Sequence, residues 1–160
     1  MQLRKEHPRT WYGVDVDITV TKANFHLVKF LHIPLPHPGL VNWFARQGLD
    51  VDTRLSLTAR HEFGHLQTLP IPLLHLLLLI CQTRKQSRLT GLPRFLLILL
   101  THQALWEVAA ESYVVATDRR AVTAPRPPWA YALYGFFWGS VALFSLFGTL
   151  FLLGSDTETL

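Results

Sequence analysis

TARHEFGHLQTLPIPLLHLLLLIC, residues 58–81, holds two histidines four apart, then two prolines, then a nearly unbroken apolar run. Ahead of it, Asp52 is a good helix N-cap and no proline intervenes until Pro70, so the pattern predicts a helix from about Thr53 to Leu69. Pro70 and Pro72 should kink or interrupt that helix. Leu73–Cys81 alone falls short of the ~20 residues needed to cross a bilayer. Joined to the motif helix, the run is long enough.

Downstream, QTRKQSRLTGLPR is a polar basic loop. Phe95–Thr117 is apolar except for His102, Gln103, Glu107, Glu111 and a few hydroxyls. A second basic loop, DRRAVTAPRPP, leads to Trp129–Leu153, which carries no charge and reads as a transmembrane helix. Upstream, Val14, Val16, Ile18 and Val20 alternate with Asp15, Asp17 and Thr19, the period-two pattern of a half-exposed strand. FHLVKFLHI fits a second strand or a short interfacial helix. PLPHPG is expected to break regular structure, and GLVNWFARQG reads as a short amphipathic helix. The expectation is a mainly α chain: a membrane helix hairpin, a third transmembrane helix and a small N-terminal β element. Three portions follow: a polar 1–52, a two-helix core 53–117, and 118–160 with a basic loop, a membrane helix and an acidic tail.

Composition agrees. Only 16% of the 160 residues are charged, and mean hydropathy is positive, +0.22. The net charge of +4 is accompanied by no nucleic-acid module; in so apolar a chain, basic residues mark loops between membrane helices. Cys81, the single cysteine, permits no internal disulfide. No cleavable signal peptide is expected from MQLRKEHPRT.

On a helix, His61 and His65 project from one face at successive turns, where two neutral imidazoles can grip one Zn²⁺. Glu62, beside them, is placed to move a proton to and from a metal-activated water. Two imidazoles leave the ion short of a protein ligand. Glu107 and Glu111 are also four apart on one helical face, inside an apolar segment where an acidic side chain costs ~2.5–3.5 kcal/mol. One coordinating a cation and the other hydrogen-bonded to a metal ligand would make both tolerable. With the basic loop 82–94 as a hairpin turn, the two pairs should meet at similar depth.

HEFGH followed by EVAAE on a separate helix resembles the gluzincin metallopeptidases, and the hydrophobic setting resembles their integral-membrane branch, of the HtpX and CAAX-prenyl protease type. The likeness covers about residues 53–117. It implies His61, His65 and Glu107 as zinc ligands, Glu62 as general base and Glu111 as the acid that orients a ligand histidine. That acid is usually Asp, so Glu111 is longer by a methylene. Tyr113 is the candidate for stabilising the oxyanion, with Arg119 and Arg120 as alternatives. In soluble relatives the peptide lies along an edge strand, and GVDVDITV is the candidate for that edge.

The function so implied is a zinc-dependent membrane endopeptidase acting on a peptide or protein substrate. Two alternatives stand beside it. A membrane di-iron oxidase or hydroxylase would use the Glu-x-x-His within EFGH, although a second such pair is absent. A non-enzymatic membrane adaptor would use its polar groups for helix packing. His75 and His102 are expected to be packing or interfacial residues, and His26, His32 and His37 surface ones. Near the helix ends, Arg46, Arg54, Arg60, Arg119, Arg120 and Arg126 lie on one side, against Arg84, Lys85, Arg88 and Arg94. That bias favours an active site near the cytoplasmic face.

Overall fold

A computed structural model describes residues 3–21, 25–30, 33–38, 40–86 and 91–154. The motif helix α2 runs Val51–Gln67, after a short α1, Leu40–Ala45. Its N-cap is Asp50 rather than Asp52: the Asp50 carboxylate accepts from the Thr53 backbone N–H at 2.9 Å, and Asp52 sits in the first turn. Both aspartates suit a helix start, but only the one three residues ahead of a free N–H closes the cap. This bond holds the Asp50 carboxyl below its ordinary range.

Four strands precede the helices: β1 Leu3–Glu6, β2 Val16–Thr21, β3 Phe25–Phe30 and β4 Ile33–Pro38. They form one antiparallel sheet in sequence order. The alternation around Val16–Val20 is realised, with Val16, Ile18 and Val20 buried. FHLVKF is a strand. Two expectations need correction. The proline-rich PLPHPG does not end regular structure, because Ile33–Pro38 pairs with β3 throughout, Leu35 opposite Val28 and His37 opposite His26. Pro34, Pro36 and Pro38 occupy alternate positions of an outermost strand, so all three missing N–H groups fall on the side away from β3 and no ladder bond is lost. Nor is GVDVDITV an edge: β2 is paired on both sides, by β1 and β3.

The sheet packs on α2. Val16, Ile18, Val20 and Val28 meet Leu55, Ala59, Phe63 and Leu66, which share one face of the helix. Fully burying each aliphatic side chain contributes about 1.5–3 kcal/mol, so this face fixes how α2 is rotated. The opposite face, Leu57, His61, Gly64 and His65, is thereby turned to α4, Gly91–Thr117. The two helices run in opposite directions: Leu57 packs with Val114, Gly64 lies against Ala110, and the His65 carbonyl accepts from Trp106 Nε1.

Between Gln67 and Pro70 the chain bends by 52° into α3, Pro70–Gln86, in keeping with two prolines at a helix boundary. A short α5, Arg120–Thr123, precedes α6, Pro128–Leu153. Among the described residues, α6 is the one unbroken helix long and apolar enough to cross a membrane; the bent α2–α3 pair passes only when taken together. Large apolar side chains stand exposed along α3, the first half of α4 and α6, with Leu74, Leu92, Phe136 and Phe147 each more than 60% exposed. Inside, Leu79, Ile98 and Leu152 join the three helices. Thr101 is packed so closely against Gly148 that a Cβ there would overlap the threonine side chain.

The charge count behind the cytoplasmic orientation also changes. Arg46 and Arg126 are buried, 1% and 8% exposed, and Arg126 donates to the carbonyls of Ala45 and Ala121. Neither marks a loop at a membrane surface, which leaves four arginines against four basic residues. The side chains of His26, His32 and His37, the cluster RKQSR from Arg84 on, and the acidic tail lie outside the described residues.

Candidate metal centre

The sheet-fixed rotation of α2 aims His61 and His65 at α4, and the close Gly64–Ala110 contact brings Glu107 and Glu111 up to them. A Cβ on Gly64 would stand 2.7 Å from the Ala110 carbonyl oxygen, so only glycine allows this spacing. His61 Nε2 lies 3.1 Å from Glu107 Oε2, and His65 Nε2 lies 3.6 Å from the same oxygen. All three residues are buried, and their ligand atoms fall within 4.8 Å of one another.

Donor chemistry decides what these atoms can hold. Glu111 accepts from Arg46 Nη1 at 2.7 Å, from Arg46 Nη2 at 2.6 Å and from the Tyr134 hydroxyl at 2.7 Å. A carboxylate so surrounded is an anion, so the 3.0 Å contact between Glu111 Oε2 and His61 Nδ1 has the imidazole as donor. The Nε2 lone pair of His61 then points toward Glu107 Oε2. Gln103 Nε2 donates to the other Glu107 oxygen at 2.8 Å, leaving Oε2 turned inward. A proton between two of the three converging atoms would serve one pair; a divalent cation serves all three. Ligands about 2.0–2.1 Å from a tetrahedral ion stand about 3.3 Å apart, which is bracketed by the 3.1 and 3.6 Å separations observed. Two imidazoles and one carboxylate at these separations could hold a divalent cation.

Glu62 is buried on the same turn, and Asn42 Nδ2, from α1, donates to its Oε1 at 2.8 Å. The structure thus brings together five of the residues predicted from sequence: His61, Glu62, His65, Glu107 and Glu111. It does not bring Tyr113, whose ring packs edge-on against Phe63 at 5.9 Å in the sheet-side core. Arg120 is occupied by Asp118 at 2.6 Å and by the Ser56 hydroxyl. This pairing holds the Asp118 carboxyl, just past the end of α4, below its ordinary range. His75 donates to or accepts from the Thr149 hydroxyl across the α3–α6 contact at 2.9 Å. His102 stacks beside His75, with ring centroids 6.4 Å apart, and its ring also lies 5.9 Å from that of Trp106.

Sequence reasoning missed Asn42, Arg46, Gln103 and Tyr134. Only Gln103 was signalled, by its i, i+4 spacing from Glu107. Arg46 looked like a loop charge, and Tyr134 sits in a run that otherwise reads as lipid-facing. The Trp138 ring, on the same helix, lies 5.9 Å from that of His61. A groove of about 400 Å³ between α4 and α6 is lined by Glu111, Ser112, Tyr134 and Trp138 along an otherwise apolar wall.

Compared with known proteins, the chain matches no family model, no curated protein and no solved structure.

Proposed function

We propose that this chain is a membrane-embedded zinc endopeptidase, with His61, His65 and Glu107 as metal ligands and Glu62 as general base, arranged as the gluzincin resemblance implies. The observation that carries the reading is the convergence of His61, His65 and Glu107, whose Oε2 lies 3.1 and 3.6 Å from the two imidazole Nε2 atoms, with a second acidic side chain, Glu62, next to His61 on the same helix. A zinc ion in such a site supplies a Lewis acid and brings the pKa of a water down to about 7. Glu62, oriented by the Asn42 amide, takes a proton from the attacking water and returns it to the leaving nitrogen. Gln103 steers Glu107, and Glu111 keeps His61 in the Nδ1–H tautomer. The apolar outer faces of α3, α4 and α6 favour a lipid bilayer as the surroundings, and a peptide segment of a membrane-associated protein as the substrate.

Elemental analysis of detergent-purified wild type and Glu107→Ala tests the metal, and cleavage of a peptide library by wild type and Glu62→Gln tests the chemistry. One zinc per chain, depleted by Glu107→Ala and retained by Glu62→Gln, is expected, with cleavage reduced about 10²–10⁴-fold in the latter. Two irons per chain would favour an oxidase, although the described residues offer ligands for one ion. No metal in either protein would leave a helix bundle held by a His–Glu network.

A further inference from the structure

We propose that Arg46 and Tyr134 are positioning residues of the metal centre, acting through Glu111 to hold His61 in the orientation and tautomer that a ligand needs. The inference rests on the metal-binding reading above. It adds that the site is completed by side chains from outside the two helices that carry its ligands.

A carboxylate offers about four lone-pair sites, and Glu111 fills four. Arg46 Nη2 and His61 Nδ1 share Oε2, at 2.6 and 3.0 Å; Arg46 Nη1 and Tyr134 Oη share Oε1, both at 2.7 Å. Three elements supply these donors: the turn after α1, the motif helix and the membrane helix. The Arg46 side chain is 0% exposed and that of Glu111 5%. The Arg46 guanidinium meets both oxygens of Glu111 at once, at 2.7 and 2.6 Å. Its planar fork also sets the plane of the carboxylate, so that one Oε2 lone pair faces His61. Tyr134 fixes the same plane from the opposite element.

Both partners are themselves anchored. The residue before Arg46 accepts a hydrogen bond from Arg126 through the Ala45 carbonyl. Gly48, with φ +73°, lies so close to Pro127 and Ala130 that a Cβ would approach the proline ring within 2.6 Å. The α1 turn is thereby clamped to the start of α6, and the guanidinium and the phenol converge on one carboxylate from a common support. The added methylene of Glu over Asp at position 111 gives the carboxylate the reach to meet all of them.

The test uses full-length protein in detergent, with zinc affinity measured by chelator competition and ligand geometry by the visible absorption of the cobalt(II)-substituted form. Thermal melting of the metal-free protein is followed in parallel. Tyr134→Phe removes one hydrogen bond and no volume to speak of; Arg46→Lys keeps the charge and removes the fork. Loss of a group that orients a ligand costs about 10–100-fold in metal affinity. Tyr134→Phe is expected near the lower end and Arg46→Lys near the upper, both with altered cobalt bands and an unchanged metal-free melting temperature. Arg46→Met should lose at least as much; if it does not accumulate as folded protein, the two milder variants decide. Wild-type affinity and spectra in both would overturn the proposal, as would lowered melting with unaltered affinity, which marks a purely structural role. A wild type that binds neither metal would overturn the metal reading and this proposal together.

Discussion

Gly64→Ala is the smallest change that separates the two halves of the centre. The added methyl carbon would stand 2.7 Å from the Ala110 carbonyl oxygen and 3.1 Å from Ala110 Cα, where ordinary contact begins near 3.4 Å. Both obstacles are backbone in the middle of a helix, so neither can swing aside. The axes of α2 and α4 must part by about 0.7 Å along this line, judged from the same contact distances. Metal–ligand bonds tolerate about ±0.2 Å. His61 and His65 ride on one helix and Glu107 on the other, so the displacement is several times what the site can absorb. Over-packing of this kind costs typically ~1–3 kcal/mol. If that strain is relieved by parting the helices, it appears as weaker metal binding by roughly 5- to 150-fold, at about 1.4 kcal/mol per decade. Zinc affinity by chelator competition, with melting temperatures of metal-free and metal-loaded protein, reads the effect: metal-induced stabilisation should shrink more than metal-free stability. Wild-type affinity in Gly64→Ala would refute the idea that helix spacing sets the ligand geometry.

Other consequences are checked more simply. Glu111→Asp should lower zinc affinity by about 10-fold or more, since the shorter side chain cannot keep Arg46, Tyr134 and His61 at once; an unchanged chelator titration contradicts this. Gly148→Ala should destabilise the α4–α6 contact by ~1–3 kcal/mol in denaturant melts, and Thr101→Ala in the same chain should recover most of the loss, because the clash is with that side chain. Asp118 has its carboxyl pKa depressed by the Arg120 hydrogen bond, below its ordinary 3.8. Its contribution to stability is therefore present above that value and lost as pH falls through the folded-state pKa. Wild type and Asp118→Asn should differ in melting temperature at pH 6 and converge toward pH 3; a constant gap would assign the effect to packing.

Much of the centre was legible because periodicity reports which residues share a helical face. The spacing of four within HEFGH and within EVAAE put each pair on one face, and the cost of acids in an apolar run implied that the pairs meet. The same arithmetic also speaks against Tyr113: two residues past Glu111 at about 100° each is about 200° around the helix, so it faces the sheet. What periodicity cannot report is a polar contact between elements distant in sequence. Nothing local distinguishes Arg46 from a loop arginine, or the Tyr134 hydroxyl from one reaching a lipid headgroup. The strand Ile33–Pro38 was hidden for a different reason. Proline is penalised in strands as a residue type, whereas the penalty belongs to the side of the strand on which the missing N–H falls, and that is known only once the strand's place in the sheet is known. Val16–Thr21 was readable as a strand, but alternation says nothing of how many neighbours a strand has.

The prolines of β4 also govern how this protein can associate. A strand bearing Pro34, Pro36 and Pro38 on its outer side offers acceptors without donors, so no further strand can continue the ladder there. Among the described strands, β1 is the one at the opposite margin, and it contains no proline. A second copy adding to the sheet must therefore come to β1, and if it does so through its own β1, the resulting eight-stranded sheet ends in proline at both margins. Self-assembly through this surface stops at two.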